Sequence, residues 1–215
     1  ISNEFFSETD RTCMKEVLER ARESNPVMLH ELNFIERFLL PKYASYLTEE
    51  QRNEAMDFVM RFQQISGPLM AKGLEDTVFY IYNRLISLNE VGGSPNNFGV
   101  SRMDFHEFHQ FQADLWPNTL NTTSTHDTKR GEDNRARLNV LSEIPAEWER
   151  QLKIWCKLNT KRKKRVGQIQ VPDRNDEYFL YQTLIGALPF FENYDESVAE
   201  RFSSRTQEYV IKGVR

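Results

Sequence analysis

Only one run in this sequence reads as a β-strand. Leu120 to Thr125 is short and rich in β-branched residues, and it stands among seven or more stretches with helical period. One strand can neither close a barrel nor build a sheet. The chain is therefore expected to be mainly α.

The helical stretches are legible from their apolar spacing. Thr12, Cys13, Val17, Leu18 and Ala21 alternate with Asp10, Arg11, Lys15, Glu16, Glu19 and Arg20 and close near Asn25-Pro26. Leu29, Leu32, Ile35, Phe38 and Leu39 repeat the rhythm up to Pro41. Thr48 followed by Gln51 is a capping-box signature, and Ala55, Phe58, Val59, Phe62 and Ile65 continue one face until Gly67-Pro68. These three predict a small helical unit over residues 1–66. Further helices are expected over Asp104–Trp116, Arg135–Leu141, Pro145–Leu158, Glu177–Leu188 and Val198–Val214. Between Leu69 and Gly93 glycine, charge and aromatic residues crowd together, followed by Ser94-Pro95-Asn96-Asn97, a texture common in functional loops.

Charge excludes one class of partner. With 28 Lys+Arg against 32 Asp+Glu the net charge is −4, whereas affinity for nucleic acid comes from a basic face that neutralises phosphates. The basic cluster Lys161-Arg162-Lys163-Lys164-Arg165 is the one stretch that could support an all-α interaction or nucleic-acid module. It lacks interleaved aromatics and reads better as a solvated loop. Cys13 and Cys156 have neither metal-site nor disulfide spacing. No apolar run of ~20 residues exists, and Ile1-Ser2-Asn3-Glu4 has no signal pattern, so no membrane association and a cytoplasmic location are expected. Of 215 residues the first is not Met and the last, Tyr209 to Arg215, fall within a helical stretch, as expected of a piece of a longer chain.

Two stretches concentrate chemistry. Thr122-Thr123-Ser124-Thr125-His126-Asp127-Thr128-Lys129-Arg130 runs a strand-like segment straight into four polar groups, the arrangement parallel-barrel enzymes use at the C-terminal rim. The alternative is that Asp127 caps the next helix and His126 is a satisfied core histidine. The second stretch, Met70 to Tyr80 and on to Gly93, offers Lys72, Glu75 and Asp76 beside Gly73, with Phe79, Tyr80 and Tyr82 as sugar-stacking faces or core. Glu75 and Asp76 could form an acid/base pair, but adjacent helical residues diverge.

Three blocks together resemble a known family. Ala71-Lys72-Gly73-Leu74-Glu75-Asp76-Thr77-Val78-Phe79-Tyr80, Leu88-Asn89-Glu90-Val91-Gly92-Gly93 and Ser124-Thr125-His126-Asp127-Thr128-Lys129-Arg130-Gly131-Glu132-Asp133 are similar to the maltooligosyl trehalose synthase family of the α-amylase superfamily. The likeness extends from about Arg61 to Leu138 and around Tyr178–Pro189.

The resemblance implies a helical fragment of an α-amylase-type (β/α)8 enzyme with at most one or two barrel strands. Residues 1–66 would be a helical insertion and 67–215 the late part of the barrel with inserted helices. The implied activity converts the reducing-end α-1,4 linkage of a maltooligosaccharide to α,α-1,1 by a retaining mechanism, without cofactor or metal. Asp127 matches the third, transition-state-stabilising aspartate and His126 the histidine beside it. Lys129, Arg130, Lys72, Glu75, Asp76, Tyr80, Asn89 and Glu90 match substrate-binding positions, with Lys129 the donor to the transferred glucose. Nucleophile and acid/base would come from earlier barrel strands, so the maltooligosaccharide and the remainder of the same polypeptide are the expected partners and the fragment alone should be inactive. Ile81 stands where the family leads us to expect a basic residue, and Gly131 where it leads us to expect serine. A hydrolase of the same superfamily would keep these residues and change only the acceptor to water.

Overall fold

The computed structural model describes residues 7–40, 47–189 and 195–214; Ile1 to Glu4, Pro41 and Arg215 lie outside them. Two compact units divide at residue 70.

In the first, α1 (Glu8–Ser24) begins with a reciprocal cap. The Ser7 hydroxyl accepts the Asp10 amide at 3.1 Å and the Asp10 carboxylate accepts the Ser7 amide at 3.2 Å. α2 (Leu29–Leu39) and α3 (Glu49–Met70) follow, and α3 carries the expected Thr48/Gln51 box, with amide-to-side-chain distances of 3.0 and 3.3 Å. Phe34, Phe38, Phe58 and Phe62 stack between α2 and α3 at centroid distances of 4.7–6.2 Å, within the range that aromatic quadrupoles favour. Gly67-Pro68 does not end α3 as expected. Pro68 is inside the helix, which lacks one backbone donor there.

The second unit opens with a π-helical stretch, Ala71–Val78, and a single α turn, α4 (Phe79–Ile81). The wide π turns let the Thr77 hydroxyl reach the Lys72 carbonyl five residues back at 2.8 Å. A 3-10 turn, Ile86–Leu88, precedes α5 (Arg102–Leu115), α6 (Glu132–Val140) and α7 (Pro145–Asn159). Strands β1 (Lys164–Val166) and β2 (Ile169–Val171) then pair antiparallel, Val166 opposite Ile169, around Gly167 at φ +62, a two-residue turn that needs positive φ. α8 (Arg174–Ala187) and α9 (Glu196–Gly213) complete the unit.

The core gathers Ile86, Leu138, Leu141, Trp148, Phe179 and Tyr181, with Tyr80, Leu152, Trp155, Tyr209 and Val210 against it. α8 is its centre, burying Glu177, Phe179, Tyr181, Gln182, Thr183 and Gly186. Gly186 lies so close to α6 that a side chain there would overlap Asn134.

The fold is mainly helical, as expected, with one two-stranded antiparallel sheet among the described residues. The strand itself is elsewhere than expected. Leu120–Thr125 has no strand partner among the described residues; Leu120 is 96% exposed, and Thr122 and Ser124 bond locally. β-branched composition favours a strand only where a neighbouring strand supplies the ladder.

The basic cluster is solvated as expected at Lys161, Arg162, Lys164 and Arg165, but it is not a loop. It spans a 3-10 turn, Thr160–Arg162, and β1, and the half-buried Lys163 pairs with the buried Glu177, Nζ to Oε2 2.6 Å. No helix of the described residues is long and apolar enough to cross a membrane. Cys13 and Cys156 are free thiols.

Candidate active site: a His-Asp turn held by two earlier segments

His126 and Asp127 occupy the tip of a tight turn from Thr125 to Thr128. Thr128 closes it three ways: its hydroxyl donates to the Thr125 carbonyl at 2.7 Å, accepts the Thr125 amide at 2.8 Å, and its own amide reaches that carbonyl at 3.3 Å. Asp127 sits at φ +63, a left-handed conformation that Asp tolerates better than most residues but that still stores local strain. The consequence is projection. The side chains of His126 and Asp127 are 96% and 78% exposed, with Nδ1 3.8 Å from Oδ2. Neither alternative reading of the pair survives, since the N-cap of α6 is Gly131 and the histidine is not in the core.

The stem of the turn is fixed from both sides. Upstream, the Arg135 guanidinium donates to the Thr123 carbonyl. Downstream, the Glu90 carboxylate accepts the Lys129 amide on Oε1 at 2.5 Å and the Arg130 amide on Oε2 at 3.1 Å, while Oε1 also takes the Val91 amide at 3.0 Å.

Arg130 turns inward. Its Nη1 donates to the carbonyls of Ile86 at 2.9 Å and Asn89 at 3.5 Å, and Nη2 to the Tyr209 hydroxyl at 2.8 Å. Burial pushes its guanidinium down from the ordinary range, opposed by Tyr209, Tyr80 and Glu90. Asn89 is fully buried and donates to the carbonyls of Phe79 and Tyr82 at 2.8 and 2.7 Å. Tyr80 packs edge-on to Phe179, centroids 6.3 Å apart. Asn89 and Arg130 are committed to the interior and Tyr80 is half-buried against the core, unlike the exposed Lys72 and Asp127.

A charged platform lies beside the turn. Asp76 holds Lys129 Nζ on Oδ1 and Lys72 Nζ on Oδ2, each at 2.6 Å. Lys129, then Lys72, hold the Asp76 carboxyl down at about 2. Lys72 is raised by Asp76, with a smaller push from the Asp127 charge. Burial lowers Lys129, but Asp76 outweighs it and the net shift is upward. Glu75 points elsewhere, to the Gly92 amide at 2.9 Å, so Glu75 and Asp76 diverge as expected.

The three sequence blocks therefore converge: Glu75 joins the first to the second, Glu90 the second to the third, and Asp76 the first to the third. The supports of the turn are what sequence reasoning missed. Thr128 carried a signal, a second threonine three residues after Thr125. Arg135 and Tyr209 carried none, because their partners lie far along the chain.

The two departures fall differently. Ile81 is exposed and its carbonyl accepts from Asn175 at 2.9 Å, whereas Gly131 leaves α6 without a side-chain cap. A separate cavity of about 580 Å3 lies between α7, the hairpin and α8. At its wall the Glu177 carboxylate takes Lys163 Nζ and the Tyr181 hydroxyl, and that hydroxyl in turn accepts from Asn159. Among the described residues no group of three or more His, Cys, Asp or Glu side chains could hold a metal ion.

No protein-family model matches the chain. Two proteins of Mycobacterium tuberculosis, strains CDC 1551 / Oshkosh and ATCC 25618 / H37Rv, that bear the provisional name maltooligosyl trehalose synthase are 40% identical to it over 160 residues. That stretch is 73% of this chain but 19% of theirs, so the chain spans about a fifth of the length of the curated relatives it matches. Among solved structures, maltooligosyltrehalose synthase from Arthrobacter ramosus aligns with a TM-score of 0.71 at 33% identity, covering 95% of this chain and 23% of that one. A hypothetical maltooligosyl trehalose synthase of Sulfolobus tokodaii gives 0.62 at 33% identity, over 94% and 30% of the two chains.

Proposed function

We propose, from the premise that this chain is homologous to a segment of maltooligosyl trehalose synthases, that it forms part of an enzyme converting the reducing-end α-1,4 linkage of a maltooligosaccharide to an α,α-1,1 linkage. In this reading residues 1–66 are a helical insertion and 67–215 the late part of a cytoplasmic (β/α)8 enzyme. The observation that carries it is the strained turn that projects Asp127 and His126 while its stem is bonded to the other two family-like blocks.

The chemistry divides between this chain and the rest of the polypeptide. A retaining mechanism needs a nucleophilic carboxylate and a carboxylic acid ~5–5.5 Å apart, both assigned outside this chain. The nucleophile attacks the anomeric carbon of the penultimate sugar, the glycosidic C–O bond breaks, and the acid's proton passes to O4 of the departing glucose. That glucose turns, its anomeric hydroxyl attacks the glycosyl carbon, its proton returns to the same carboxylate, and the nucleophile is released.

Asp127 accepts hydrogen bonds from hydroxyls of the sugar that develops oxocarbenium character. Those bonds strengthen as charge develops, which is how a carboxylate accelerates the step rather than merely binding. His126, beside it, contributes a second polar contact. Lys129 and Lys72, tethered to Asp76 in a defined geometry, donate to the released glucose and confine it before water intervenes.

The test is maltopentaose turnover by the full-length protein. Loss of reducing ends with chain length preserved supports the isomerase. Free glucose as the main product indicates a hydrolase of the same superfamily, and no reaction refutes both. Residues 1–215 alone should do neither.

A further inference from the structure

Glu90 and Arg130 make a crossed exchange between two segments 40 residues apart. The side chain of Glu90 takes both amides of Lys129-Arg130, and the side chain of Arg130 gives its protons to the carbonyls of Ile86 and Asn89, the backbone leading into Glu90. Every bond runs from a charged side chain to the other segment's peptide groups, the class of hydrogen bond strengthened by ionisation. Arg130 has no carboxylate in hydrogen-bond contact in this network; peptide carbonyls and the Tyr209 hydroxyl, with its ring 5.9 Å from the guanidinium, take that place. Burying a guanidinium is costly unless its N–H groups are bonded, and here they bond the backbone that leads into Glu90.

We infer that Glu90 is a positioning residue, acting on the reaction through Asp127 and Lys129 rather than as a ligand of the glucan. Its two oxygens fix consecutive peptide amides two and three residues after Asp127. That pins the exit of the Thr125–Thr128 turn while Arg135 pins its entry. Release of the exit lets the left-handed Asp127 relax and swings the Lys129 stem away from Asp76. Gly93 supports the same geometry: a Cβ there would stand 2.7 Å from the Glu90 carbonyl and 2.9 Å from that of Leu88, backbone atoms that cannot move without displacing Glu90. The inference rests on the function proposed above, but the clamp can be tested apart from it.

The experiment pairs amide hydrogen exchange with steady-state kinetics on the full-length protein and its Glu90→Gln and Glu90→Asp variants. Gln keeps the shape but offers one acceptor atom for two amides, and Asp is a methylene too short. Exchange should rise at one or both of the Lys129 and Arg130 amides in the Gln variant and at both in the Asp variant. kcat on maltopentaose should fall, by up to ~10²-fold for a misplacement of about 1 Å, with KM little changed. In an Asp127→Asn background, Glu90→Gln should cost little more, because the residue through which it acts is already disabled. Unchanged exchange at both amides would overturn the clamp. A raised KM with kcat intact, or full additivity with Asp127→Asn, would overturn the positioning role. A wild-type protein with no turnover would refute the functional reading alone, and the exchange arm would still decide the clamp.

Discussion

Gln182 and Ile86 are joined across the second unit: Oε1 of the fully buried glutamine accepts the Ile86 amide at 3.0 Å, while its Nε2 donates to the Asn83 carbonyl at 2.8 Å. One side chain thereby satisfies both ends of an irregular segment that has no ladder of its own. Gln182→Leu would leave two buried peptide groups orphaned, each costing ~1–3 kcal/mol. Urea unfolding should show that loss as a lower midpoint at constant slope.

Lys163 pairs with the buried Glu177, their side chains 10% and 5% exposed, and Tyr181 donates to the other Glu177 oxygen at 2.7 Å. Burial pushes the Glu177 carboxyl up, but Lys163 and Tyr181 pull it down further and the net shift is downward. Lys163→Met should destabilise by ~3–5 kcal/mol, because it strands a buried carboxylate. Adding Glu177→Gln should recover much of the loss in a thermal melt.

Asp76 sets an acid limit on the platform. Its carboxyl lies at about 2 against an ordinary 3.8, so the folded form binds its proton less readily than the unfolded chain. The stabilisation is complete above pH 3.8 and is lost as pH falls toward 2. Asp76→Asn should remove that window, and proton NMR titration of the Lys72 and Lys129 side chains should follow it.

How much of this was legible in the sequence depends on the range of the cause. The Thr48/Gln51 cap, the Pro145 start of α7 and the aromatic face of Phe58 and Phe62 are local patterns, and they stand as read. The hairpin was missed because Lys164–Val166 and Ile169–Val171 are short and exposed on both faces, so no apolar alternation marks them. Leu120–Thr125 misled for the converse reason, carrying strand composition without a partner among the described residues. At the site, the three family-like blocks are brought together by Glu75, Glu90 and Asp76. Only the folded arrangement separates Lys72, Asp76 and Asp127, which face outward, from Asn89 and Arg130, whose bonds to carbonyls up to 44 residues distant hold the stem.

Gly131 is the N-cap of α6 at φ −63 and ψ 160, with no side-chain bond and no neighbouring atom within 4 Å of the place a Cβ would take. The conformation suits serine, whose hydroxyl would reach the amides of the first turn. Gly131→Ser should therefore stabilise by a few tenths of a kcal/mol, about the difference between these caps elsewhere, read as a small rise in Tm. A fall would mean that the added hydroxyl disturbs the Lys129-Arg130 stem.

The role proposed for Asp127 in the transition state is tested most directly by kcat. The measurement is formation of trehalose-type product from maltopentaose by the full-length protein and its Asp127→Asn variant, with circular dichroism confirming an unchanged fold. A loss of ~10²–10³ in kcat, with KM nearly constant, is the predicted result, because the lost hydrogen bonds strengthen only as charge develops on the sugar. Near-normal turnover by the variant would contradict the account and reduce the exposed His126-Asp127 turn to an ornament of the loop.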